Sequence, residues 1–120
     1  KDPMDNEKEY LFIATGTGIA PFHSFIATWP NINYKLLHGV RYVDECYHAN
    51  TYKKGSYIPC ISKPADGSKG TRVTDYLSKE TLPSNVQIYI CGNRNMIIDT
   101  FEILHNKGIS GDNITTEVFF

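Results

Sequence analysis

No apolar run in this chain exceeds the length of a strand, so nothing in it reads as a membrane-spanning helix, and the polar lead KDPMDNEKE has no signal-peptide character. A strong charge of one sign is missing too. Twelve Lys and Arg stand against thirteen Asp and Glu, and a net charge of -1 creates no global field for a nucleic-acid backbone or an anionic membrane. Any anion site must therefore be local. Cysteine is scarce and odd in number: Cys46, Cys60 and Cys91 fit neither a disulfide framework nor a zinc spacing, which points to a reducing, cytoplasmic setting. His23, His38, His48 and His105 share no ligand-like spacing with one another or with the cysteines. Ser24 and Ser62 lack a nucleophile-elbow context, so hydrolysis is disfavoured as well.

What is present is enough apolar surface for one core: 41% apolar residues, with eight Tyr and six Phe, over 120 residues. Strand-length apolar runs recur at Tyr10 to Ala14, Tyr34 to Val40, Tyr57 to Ser62, Val86 to Cys91 and Ile114 to Phe119. Their near-continuous hydrophobicity is that of strands buried on both faces, which favours a parallel sheet. Helical signals fall between them. Asn95 to Lys107 carries Met96, Ile97, Phe101 and Leu104 on one face, with Gly108 as its stop. Pro21 suits a helix start that lays Phe22, Phe25 and Ile26 on the sheet; Val73, Tyr76 and Leu77 mark another helix, with Thr71 as its cap. The crossover from Arg41 to Gly55 has a poor apolar period, crowded as it is with Tyr, His and Asn. The expected fold is α/β, a doubly wound, mainly parallel five-stranded sheet with helices on both faces over residues 10–120, and residues 1–9 read as a linker remnant.

Ligands of such sheets bind beyond the carboxyl ends of the strands, where the strand order reverses. The residues at those ends are Thr15-Gly16-Thr17-Gly18, His38-Gly39-Val40-Arg41, Ser62-Lys63, Cys91-Gly92-Asn93 and Glu117 to Phe120. In the first, glycine lets the backbone turn sharply and approach a ligand, and the N–H groups of the helix behind it suit a pyrophosphate, with the Thr15 and Thr17 hydroxyls as further donors. No Gly-Lys-Ser/Thr follows, which argues against a P-loop enzyme. A tight strand-to-helix turn with no ligand is the competing interpretation of the same residues. His38 is expected to pack at its strand end.

The run Leu11 to Phe22, LFIATGTGIAPF, closely resembles the nucleotide-loop motif of the ferredoxin-NADP reductase family, especially its bacterial branch. His38 to Arg41, Tyr89 to Asn93 and Glu117 to Phe120 resemble the next three motifs in order, so the likeness spans Tyr10 to the C-terminus. It implies that Thr15, Gly16, Thr17, Gly18, Ala20 and Pro21 cradle the pyrophosphate of NADP(H), with Gly92, Asn93 and Met96 completing the nucleotide site. It also implies that Cys91 helps position the nicotinamide without acting as a nucleophile, and that Glu117 assists proton and electron traffic. One ring of the Phe119 and Phe120 pair would cover the flavin face, Phe120 being assigned to the reacting centre and Phe119 to cofactor binding. Arg41, Ser62, Lys63 and Arg72 resemble the set that recognises a 2'-phosphate, a group for which the guanidinium fork is the natural partner.

The implied activity is hydride transfer between nicotinamide and FAD, with ferredoxin or flavodoxin as partners of the full-length enzyme. The flavin-binding Arg-x-Tyr-Ser type motif is absent from these residues, so FAD is expected on a separate barrel domain, and the chain alone is expected to show no tightly held flavin and little diaphorase activity. Two alternatives stay open. One is an NADH-dependent reductase component of an oxygenase or other electron-transfer system, which Asp44 and Glu45 keep alive; the other is a nucleotide-binding module without redox work.

Overall fold

The computed structural model describes residues 8–46, 49–83 and 85–118. Five strands, β1 (Glu9–Thr15), β2 (Asn33–Val40), β3 (Tyr57–Ile61), β4 (Gln87–Gly92) and β5 (Ile114–Val118), form one sheet in the order β3-β2-β1-β4-β5. Every pairing is parallel, with Phe12 opposite both Leu36 and Tyr89. The chain winds outward from β1 in one direction, returns, and winds outward again through β4. The reversal therefore falls between β1 and β4, which puts the ligand crevice at their carboxyl ends.

Each strand lies within about a residue of its expected position, for the reason its sequence suggested. Tyr10 to Ala14 are all buried, because β1 is the central strand and has helices on both sides. Alternation along it divides the core. Tyr10, Phe12 and Ala14 join Phe22, Ile26, Tyr34, Leu36 and Tyr52 on one face, under helix α1 (Ala20–Thr28). Leu11 and Ile13 join Leu37, Val73, Leu77, Ile88, Ile90 and Leu104 on the other, under α2 (Val73–Lys79) and α3 (Arg94–Asn106). Lys107 Nζ donates to the carbonyls of Ser78 (3.1 Å) and Glu80 (2.7 Å), a cation placed on the orphan oxygens at the end of α2.

Two local expectations need correction. On α3 the buried stripe is Met96, Ile97, Thr100 and Leu104, and Phe101 is 41% exposed. Steps of four from Met96 reach Thr100 and Leu104, and Thr100 tolerates burial because its hydroxyl reaches Met96 Sδ at 3.3 Å. Thr71 does not cap α2. Arg72 holds that position, and the Asp75 carboxylate accepts the Arg72 N–H at 3.0 Å. The β2–β3 crossover has no α-helix among the described residues, only 3-10 turns at Val43–Glu45 and Ala49–Thr51. Aromatic contacts anchor it where an amphipathic face would otherwise do so. Tyr52 stacks on Tyr57 with centroids 5.0 Å apart, and the Lys53 N–H donates to the Tyr34 hydroxyl at 2.8 Å.

No helix among the described residues is long and apolar enough to cross a membrane, and none of their His, Cys, Asp and Glu side chains group to hold a metal.

Candidate functional site

The turn after β1 is a single 3-10 turn, Gly16–Ile19, that runs directly into α1, with Pro21 in the first helical turn. Gly16 sits at φ +54, in the left-handed region, and a Cβ there would meet nothing within 4 Å. Its glycine is thus required by backbone conformation, and the space above it is open.

Gly18 is required for a different reason. A Cβ on it would stand 2.6 Å from the Cys91 carbonyl oxygen, so this glycine lets the turn lie against the end of β4. At Gly92 a Cβ would strike the Thr15 hydroxyl before reaching any ligand. The two central strand ends are fastened to each other at this point: Thr15 Oγ1 accepts the Asn93 N–H at 3.3 Å and keeps its own hydrogen for donation. Asn93 then caps α3, its Oδ1 accepting the Met96 N–H at 2.9 Å.

Beyond these strand ends opens a cleft of about 720 Å³, a size typical of small-molecule sites. Of the residues singled out from sequence, Thr15, Gly16, Arg41, Ser62, Arg72, Asn93 and Met96 line it. Lys63 does not; its backbone N–H is held by the Arg41 carbonyl at 2.8 Å and it is exposed outside the cleft wall. Gly70, in the loop before Arg72, lies so close against Ser62 that any Cβ would collide with its backbone, which draws Arg72 toward the end of β3. Arg41 and Arg72 thereby face one cleft from two crossovers. Sequence reasoning passed over Arg94, the first residue of α3, which adds a third guanidinium to the cleft. Its place directly after Cys91-Gly92-Asn93 was the available signal.

The carboxylates of this region divide. Glu45 and Asp99 line the cleft; the Glu45 Oε1 accepts the backbone N–H groups of Arg41 and Tyr42, both at 2.9 Å, so it shapes the turn that carries Arg41. Asp44 is exposed and stands off the cleft wall.

His38 is almost fully buried at the end of β2 and is bonded through both ring nitrogens, Nδ1 to the Tyr57 hydroxyl (2.7 Å) and Nε2 to the Gly16 carbonyl (2.9 Å). Burial holds its pKa below the ordinary histidine value, against smaller opposing effects from the Gly16 bond and the Glu45 charge. Burial likewise pushes the Tyr57 hydroxyl well up, with Cys46 beside it as a further cause. The Cys60 thiol, buried under the cleft floor, is raised to about 11, chiefly by burial.

Pro21 and Cys91 belong to a second, smaller groove of about 110 Å³ on the α1 side, floored by Phe22, Phe25 and Tyr89. In the ladder Glu117 lies opposite Cys91, so its backbone borders the same strand end. Ala20 opens α1 and is exposed, and Thr17 lies within the 3-10 turn. Phe119 and Phe120 fall outside the described residues.

Residues 12–101 match the family model described as the oxidoreductase NAD-binding domain. No curated protein sequence gives a significant match. Among solved structures, the chain is similar to flavohemoglobin from Malassezia yamatoensis, determined with bound FAD and heme (20% identity, TM-score 0.77), over 97% of this chain and 33% of that one. It is similar to the Amycolatopsis cytochrome P450 reductase GcoB (21%, TM-score 0.77) over 96% of this chain and 38% of that one. It is also similar to the flavohem-like FAD/NAD binding domain of nitric oxide dioxygenase from Vibrio cholerae O1 biovar El Tor (18%, TM-score 0.77), over 97% and 53%. These likenesses are of fold, that of ferredoxin-reductase-like nucleotide-binding domains, and the chain spans about a third to a half of the length of the three structures.

Proposed function

Because the chain belongs to the oxidoreductase NAD-binding domain family, we propose that it binds NADP(H) across the carboxyl ends of β1 and β4, as the nucleotide half of a ferredoxin/flavodoxin-NADP reductase. The observation that carries this reading is Gly16: a left-handed residue with open space above it, at the switch point of the sheet and on the wall of a cleft that also holds Arg41 and Arg72. Peptide N–H groups of the Gly16–Ile19 turn and the Thr15 hydroxyl would hold the pyrophosphate. Arg41 and Arg72, with Ser62 between them, would take the 2'-phosphate. Lys63, off the cleft wall, contributes at most long-range charge.

The nicotinamide would lie toward Cys91 and Gly92, where the groove bounded by Pro21, Phe22 and Tyr89 offers an apolar, aromatic wall for a flat ring. When bound, the nucleotide supplies a hydride for exchange with a flavin. What this chain would supply is position: the strand end at Cys91 and the aromatic wall of Phe22, Phe25 and Tyr89 beside it. FAD, the ferredoxin or flavodoxin partner, and the roles of Glu117, Phe119 and Phe120 at the flavin edge would belong to the full-length enzyme.

Support for NADP over NAD comes from Arg41 and Arg72 on the cleft wall and from the engagement of Glu45, one of the two carboxylates there, with Asp99. An acidic side chain presented to the ribose would favour NAD, but the Glu45 Oε1 is engaged by two backbone N–H groups and thereby steadies Arg41. Calorimetric titration with both nucleotides tests this directly. The expectation is tighter binding of NADP+, no flavin absorbance in the isolated chain, and a loss of about 1.5–3 kcal/mol in NADP+ affinity, with little change for NAD+, on Arg72→Glu. Equal losses for the two nucleotides would remove Arg72 from the 2'-phosphate site.

A further inference from the structure

The residue His38 lies behind the cleft, yet one of its bonds ends on the turn proposed to hold the pyrophosphate. A carbonyl oxygen only accepts, so the 2.9 Å bond to Gly16 requires the hydrogen of the neutral ring to be on Nε2. Nδ1 is then an acceptor, and the Tyr57 hydroxyl at 2.7 Å donates to it. The carbonyl alone selects the tautomer; the hydroxyl, which can donate or accept, follows it and holds the ring in place. Tyr57 is in turn stacked on Tyr52, whose ring meets His23 of α1 edge-on at 5.8 Å.

The Gly16–Thr17 peptide is planar and trans, so its C=O and N–H point in opposite directions. With the carbonyl drawn inward to a buried imidazole, the Thr17 N–H must point outward, away from the aromatic core. A flip of this peptide, which glycine on one side makes easy, would reverse the dipole and turn an acceptor toward the anion. We infer that His38, locked by Tyr57, is the positioning residue of the nucleotide turn, holding the Gly16 carbonyl so that the turn presents N–H donors to the pyrophosphate. This rests on the nucleotide reading above. Nothing in it requires His38 to touch the ligand or to change charge.

The test uses the 120-residue chain and two probes, NADP+ and adenosine 2'-monophosphate, the second carrying the 2'-phosphate but no pyrophosphate. His38→Leu should weaken NADP+ roughly tenfold, the loss of about one well-placed hydrogen-bond partner, and leave the monophosphate unchanged. His38→Gln, whose amide N–H reaches a similar point, should restore NADP+ binding to within about twofold of wild type. Tyr57→Phe should fall between, by freeing the ring to turn about its remaining bond to Gly16. Equal weakening of both probes, or Gln behaving like Leu, would overturn the inference by reducing His38 to a packing residue. Ring-nitrogen NMR of the unliganded chain is independent of nucleotide binding: an Nε2–H tautomer is expected, and an Nδ1–H tautomer would overturn the inference even if His38→Leu fails to fold. Failure of the wild-type chain to bind NADP+, with the Nε2–H tautomer present, would instead reject the nucleotide reading and, with it, the purpose assigned to the His38 hold.

Discussion

The two faces of the sheet are built from different materials. Under α2 and α3 the core is aliphatic, packed from Leu11, Ile13, Leu37, Leu77, Ile88, Ile90 and Leu104. Under α1 it is aromatic: Phe12 stacks on Phe22 at 5.0 Å, and Tyr10, Tyr34, Tyr52 and Tyr89 surround them. Aliphatic side chains have no polar atom to place, so that face contributes burial alone. Tyrosine and histidine combine an apolar body with a polar tip, and on the α1 face those tips reach backbone: Tyr34 accepts from Lys53, and His38 holds Gly16. One face mainly stabilises the domain. The other also fixes the turn on which the proposed nucleotide site depends.

That division is best broken by substitutions whose effects should separate stability from affinity. The largest effect is expected from Leu77→Ala on the aliphatic face, where a fully buried side chain is removed; a loss of ~2–5 kcal/mol in urea denaturation is expected, with nucleotide affinity of the folded chain unchanged. A change in affinity as large as the change in stability would erase the distinction. Gly18→Ala, at the meeting of the turn and β4, should cost stability by ~1–3 kcal/mol through the collision with the Cys91 carbonyl. Unlike Leu77→Ala it should also weaken NADP+ binding, because the turn must shift to admit the methyl group. An unchanged titration would show that the turn can move without consequence.

A smaller, pH-dependent effect sharpens the role of His38. Its folded pKa lies below the ordinary value of 6.5, and His38 is surrounded by Tyr57, Glu45 and the Gly16 carbonyl. As pH falls below about 6.5 the unfolded chain takes up a proton at this residue while the folded chain does not, so stability falls with pH until the folded value is reached. His38→Gln should flatten that part of the curve when urea midpoints are compared from about pH 8 down to 5; parallel curves would mean that another group is responsible. The smallest effect is expected at Tyr52, whose hydroxyl is buried without a partner among the described residues. Tyr52→Phe should leave stability unchanged or raise it by up to ~1 kcal/mol, and a clear loss in thermal midpoint would show that the hydroxyl has a partner after all.

The parts of the fold that were legible in sequence are those in which one residue type has one reason to be there. Continuous apolar runs such as Tyr10 to Ala14 have no exposed alternative, and the turn after them carries a glycine at the one position that needs a left-handed backbone. The β2–β3 crossover was illegible because ring stacking and Tyr34 hold it in place, and neither leaves a helical or alternating period. Thr100 and Phe101 exchanged places because a hydroxyl satisfied inside its own helix looks polar in sequence and behaves as apolar in the core. At the site, the strand ends predicted the cleft, but not that Arg41 lines it while Lys63 does not. His38 packs at its strand end as expected, and its bonds add to that packing. A histidine inside a buried strand must find partners for both nitrogens, and that requirement alone pointed beyond packing.

The central claim, a nucleotide site at the switch point of the sheet, is tested most directly by titrating the isotopically labelled chain with NADP+ and following its backbone amides. The account predicts saturable shifts concentrated at Gly16, Thr17, Arg41, Arg72 and Asn93, with weaker effects from NAD+ at Arg41 and Arg72. Shifts confined to other surfaces, or none at any of these amides at the highest nucleotide concentration, would contradict it.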